Sequence, residues 1–118
     1  MANTSVTHFF GDQERKFQLT TPLIIEIERK IGSGIGAIAQ RLFAQQHSHN
    51  ELVEIIRLGL VGGGADPATA TALTDAYLTN APIMPNYMIA HAVISAAFFG
   101  SEPEPDVAAP GTEQQDAA

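Results

Sequence analysis

With 118 residues, 45% of them hydrophobic and 16% charged, the chain has the composition of one folded domain rather than of a disordered segment. It contains no cysteine, which excludes disulfides, thiolate nucleophiles and cysteine-based zinc sites and points to a reducing, cytoplasmic setting. The net charge of −7 lies entirely downstream of Arg57: acids match bases up to that point, no base follows it, and no basic stripe is offered to nucleic acid.

Met1 to Phe10 has neither a basic start nor a long apolar run, and no membrane-length apolar stretch follows, so neither a secretion signal nor a membrane span is expected. The β-prone runs Val6 to Phe10 and Lys16 to Leu19 flank the turn Gly11-Asp12-Gln13-Glu14 and predict a β-hairpin. An isolated hairpin is marginal in water and needs a helix or a further strand against it.

Thr20 or Thr21 before Pro22 starts a first helix, with Leu23, Ile24, Ile27 and Ile31 on one face and Gly32 as its stop. Ser33 is placed to cap a second helix carrying Ile35, Ile38, Leu42 and Phe43. Asn50 is read as the cap of a third helix, Glu51 to Val61, with Glu51 and Glu54 at its positive end. Gly62-Gly63-Gly64 stops it, and Asp66-Pro67 opens a fourth helix to about Asn80, its face Ala70, Leu73, Ala76 and Tyr77. Pro82 and Pro85 are expected to break the chain before a last apolar helix, Asn86 to Phe99, that ends at Gly100. Met88, Ile89, Ala92, Val93, Ala96 and Phe99 are its candidate packing residues. The expected fold is therefore mainly α: one domain over residues 1–100, with an N-terminal hairpin and about five short helices. An acidic, proline-containing tail over residues 101–118 is expected to be disordered.

The chemistry-bearing residues form no catalytic constellation. The triple glycine lacks the Gly-Lys-Ser/Thr of a phosphate loop, and no lysine lies downstream of it. His47 and His49 have only Glu51 close by, too few ligands for a metal, and His91 is expected to pack within the last helix. Ser33, Ser48 and Ser95 lack a nucleophile-elbow setting, and Glu26 and Glu28 point apart on their helix. No enzyme, cofactor or metal is expected. What the chain has in excess is apolar surface: Ile24-Ile25, Leu52-Val53, Ile55-Ile56, Ile83-Met84 and Phe98-Phe99 exceed single helical stripes, and such an excess marks a partner site.

The hairpin, the Leu23-Ile24-Ile25-Glu26-Ile27-Glu28 helix, Gly32 followed by Ile35-Gly36-Ala37-Ile38-Ala39-Gln40-Arg41-Leu42, the run Ile55-Ile56-Arg57-Leu58-Gly59-Leu60-Val61-Gly62-Gly63-Gly64 and the closing Phe98-Phe99-Gly100 follow one another in a telling order. Over about residues 5 to 100 this order resembles the gene transfer agent family of small phage tail proteins, described as tail tube components or tail assembly chaperones. The resemblance implies a tail morphogenesis protein, and the shortage of strands favours a chaperone of the long helical tape measure protein over a tube subunit. Ile24, Ile56, Met88 and Phe99 are then the expected contacts, on the first, third and fifth helices. The alternative is a structural tail tube or connector subunit retained in the particle. Self-association is left open, and the expected location is the bacterial cytoplasm or the virion.

Overall fold

The computed structural model describes residues 3–101, so the tail expected over 101–118 lies outside the described residues from 102 onward. A β-hairpin, β1 (Ser5–Phe10) and β2 (Gln13–Gln18), precedes five helices: α1 (Thr21–Ile31), α2 (Ile35–Phe43), α3 (His49–Gly62), α4 (Pro67–Leu78) and α5 (Ile83–Phe99). The mainly helical fold with an N-terminal hairpin is as the sequence predicts.

The hairpin turn is tighter than expected. Phe10 pairs with Gln13, which leaves Gly11 and Asp12 alone at the corner. Gly11 has φ +74°, the left-handed conformation that the first residue of such a turn requires, and the Tyr77 ring lies where its Cβ would be.

Proline and glycine bound α1 as read: Pro22 sits in the first turn and Gly32 adopts φ +80°. Ser33 does not cap α2. Glu28, reaching back from α1, accepts the Ile35 amide at 2.8 Å instead, so one helix closes the exposed end of the next. The cap of α3 is Ser48 rather than Asn50. Its hydroxyl accepts the Glu51 amide at 3.1 Å, and the Glu51 carboxylate accepts the Ser48 amide at 3.0 Å. Asp66 caps α4 through the Ala68 amide as expected, although the inward face is set by Ala70, Thr74 and Leu78 while Ala76 is exposed. Pro85 does not break the chain. It falls in the first turn of α5, where amides have no helical acceptor and the missing N–H costs nothing.

The core lies around α3, which α1, α4, α5 and β2 enclose. Leu52, Ile55, Ile56, Leu58 and Leu60 are all buried, so this helix is apolar on several sides because it has neighbours on several sides. Its C-terminal end runs against the backbone of β2: a Cβ on Gly62 would stand 1.8 Å from the Gln18 carbonyl oxygen, and one on Gly63 1.9 Å from that of Lys16. The triple glycine is thus a backbone-to-backbone seat. The Gly63 and Gly64 amides are bonded to the carbonyls of Gly59 and Val61, which leaves no open cradle for a phosphate.

Candidate interaction surface

Helix α5 contains no charged residue along its 17 positions. Asn86, Tyr87, Ile89, Ala90, Val93, Ile94 and Ala96 face inward. Tyr87 donates its hydroxyl to the Leu42 carbonyl at 2.9 Å and Asn86 its amide to the Tyr77 carbonyl at 3.4 Å, which ties α5 to α2 and α4. With that face held, Met84, Met88, His91, Ser95 and Phe98 recur at steps of four and three on the opposite side and form one outward stripe. Met84, Met88 and Phe98 are exposed, and so are Ile83 and Phe99 at the helix ends. A helix this apolar on its solvent side has an unmet demand for cover.

Two grooves flank the stripe. One, of about 710 Å3, runs between His8, Phe9 and Phe10 of β1 and Pro85, Met88, Ile89 and Ala92 of α5, with Tyr77 at one end. The other, of about 410 Å3, is bounded by Phe43, Gln45, Met84 and Tyr87. Met88 and His91 form the ridge common to both, and neither groove is lined by a lysine, arginine, aspartate or glutamate. His91 lies 5.0 Å from Phe43 between ring centroids, and His47 stacks on Tyr87 at the same separation. These histidines act here as aromatic packing. Among the described residues no three histidine or acidic side chains converge on a common point.

The start of α3 is tied to α2 by an ion pair. Arg41 of α2 donates through Nε to Glu51 Oε2 at 2.9 Å, at the point where Glu51 completes the cap of α3. Burial by itself would raise the Glu51 pKa. The Arg41 guanidinium and the Ser48 amide outweigh it and hold the carboxyl below its ordinary value.

The four expected contacts separate. Met88 is 62% and Phe99 76% exposed, and both stand on the outward side of α5. Ile24 is half-buried against the core, in the inward stripe with Leu23, Ile27 and Ile31, and its neighbour Ile25 is the exposed one. Ile56 is fully buried, so the expectation that it forms contact surface is corrected: α3 is enclosed and has no face to offer there. Sequence reasoning missed Phe9 and Phe43 as surface; it counted Ile83 and Met84 in the apolar surplus but placed them before the last helix rather than in its first turn. The signal for Met84 and Met88 was their spacing of four, once Pro85 is allowed inside the helix.

Residues 3–100 match the family described as phage tail tube protein, GTA-gp10. The chain belongs to this family. The match covers the whole hairpin-plus-helices body, the α5 stripe included, and makes this a tail protein of the gene transfer agent and phage kind. Neither the curated proteins nor the solved structures give a match.

Proposed function

We propose that this member of the tail family is a tail assembly chaperone that works by binding and not by catalysis. Its client is the tape measure protein, whose helices it takes along the outward stripe of α5 and the grooves on either side of Met88. The observation that carries the reading is the exposed, charge-free face of α5, which suits an apolar helix better than any polar ligand. Several copies coat the tape measure during assembly in the bacterial cytoplasm and leave as tube subunits polymerise around it. The net charge of −7 keeps such a coated complex in solution. No nucleic acid is involved, and among the described residues no helix is long and apolar enough to cross a membrane.

The hairpin is the only sheet among the described residues, too little to form a tube wall from one subunit. The family's description as a tail tube protein nevertheless favours a second reading, a tube or connector subunit retained in the virion. Co-expression with the tape measure protein of the same gene cluster separates the two. A soluble complex, lost in Met88→Asp and Phe99→Asp variants that keep their circular dichroism spectrum, is the outcome expected of a chaperone. Absence of a complex, with the protein present in stoichiometric amounts in purified particles, overturns that reading in favour of the structural one.

A further inference from the structure

The two edges of the hairpin have different fates. A two-residue turn makes Phe10 and Gln13 a hydrogen-bonded pair, so the alternation of the ladder points the amides and carbonyls of Glu14, Lys16 and Gln18 away from the hairpin on one side and those of Ser5, Thr7 and Phe9 away on the other. The β2 edge is blocked at Lys16 and Gln18, on whose carbonyls the end of α3 lies, and Glu14 beyond them carries a guarding charge. On the β1 edge, Ser5 is taken up locally: its carbonyl accepts the Ser101 hydroxyl at 2.7 Å, and its amide bonds to Asn3 Oδ1 at 3.1 Å. The outward backbone groups of Thr7 and Phe9 meet no partner among the described residues.

Edge strands are ordinarily guarded by a charge, a proline or a bulge. β1, with the sequence Ser-Val-Thr-His-Phe-Phe, carries neither a charged residue nor a proline, and its pairing with β2 is continuous. Phe9 is 63% exposed and borders the larger groove.

We propose that this edge pairs with the same edge of a second copy of the chain, antiparallel about a two-fold axis at His8, to give one continuous sheet in the order β2-β1-β1-β2. Thr7 of each copy then exchanges amide and carbonyl bonds with Phe9 of the other, which uses the two outward positions that remain unbonded. The two Phe9 rings come to lie diagonally on one face, within reach of each other, and cover each other from solvent. The uncharged edge is what makes a second copy acceptable: no ionised carboxylate or ammonium of β1 meets its own image across the axis, whereas β2, with Glu14, Arg15 and Lys16, would oppose like charges in several registers. Repulsion between two molecules of net charge −7 opposes the pairing from a distance and is weakened by salt. The inference does not depend on the chaperone reading.

Light scattering coupled to size exclusion, and sedimentation velocity, test this on the full chain over a wide concentration range at low and high salt. The expected result is a mass that rises towards twice that of the chain with concentration, with a larger dimer fraction at high salt. Phe9→Lys places a guarding charge on the edge. Thr7→Pro removes an outward amide that the hairpin ladder does not use. Each is expected to abolish the dimer without changing the far-ultraviolet circular dichroism spectrum. Amide exchange supplies a readout without mutation: the Thr7 and Phe9 amides become protected as concentration rises. A chain that stays monomeric in all conditions overturns the proposal, as does a dimer that persists in Phe9→Lys. Protection of Thr7 and Phe9 that arises only on adding another tail protein overturns it too, because the edge then takes a strand from a different chain.

Discussion

Replacing Gly63 by alanine tests the central packing claim of the fold. The new Cβ would stand 1.9 Å from the Lys16 carbonyl oxygen and 2.5 Å from its carbonyl carbon, where real Cβ atoms keep at least 3.0 Å. The obstructing atoms are backbone, so no rotamer change relieves the clash, and α3 and β2 must part by roughly 1 Å, in a core whose packing tolerates little displacement. Overpacking of this kind costs about 3 kcal/mol, the upper end of its usual range. In a domain of this size that lowers the melting temperature by roughly 12–24 °C. The same substitution at Gly36, inside α2 with nothing within 4 Å of the new Cβ, removes only the backbone freedom of glycine and is expected to stabilise by about 0.5–1 kcal/mol. Thermal and urea melts followed by circular dichroism compare the pair. The reasoning is refuted if Gly63→Ala melts with the parent chain, or if the two substitutions shift stability in the same direction.

Glu51→Gln weakens both the cap of α3 and the tie to Arg41, and is expected to cost about 1–2 kcal/mol at neutral pH. Because the folded state lowers the Glu51 pKa, its contribution is complete above the unfolded-state value of about 4.3 and disappears as pH falls through the folded value. Melts of the two proteins should therefore converge in acid, and a gap that persists there would count against the assignment. Tyr87→Phe removes one of two donors to the Leu42 carbonyl, which keeps the Gln45 amide, and should lower stability by about 1 kcal/mol, read from urea midpoints at unchanged slope. Met88→Asp should leave stability within about 0.5 kcal/mol of the parent, while Ile56→Asp buries an unpaired charge and should exceed 4 kcal/mol, enough to unfold the domain in the same melts.

Local signals in the chain determined most of the elements. Apolar spacing marked the inward stripes of α1 and α2, Pro22 and Asp66-Pro67 marked helix starts, Gly32 marked a stop, and all of these act within a few residues of themselves. The Ser48 cap is equally legible, since Ser48-His49-Asn50-Glu51 is a capping box in plain sequence, but Asn50, a cap of similar intrinsic strength, offers a competing start two residues on. Pro85 is ambiguous in sequence because a proline three residues into a helix and one that ends a helix look alike until the helix start is known.

The sequence by itself thus determined the elements, the family order and the surplus of apolar residues, because these depend on local periodicity and composition. Tertiary structure alone decided which surplus is surface. Ile56 and Met88 are alike to any local rule, yet neighbours on several sides enclose Ile56 while Met88 stays exposed among the described residues. It also decided that Glu28 caps a helix other than its own and that Gly62 and Gly63 seat α3 on one hairpin edge, while Thr7 and Phe9 on the other meet no partner among the described residues. Those outcomes depend on distances between segments far apart in the chain, which no local pattern encodes.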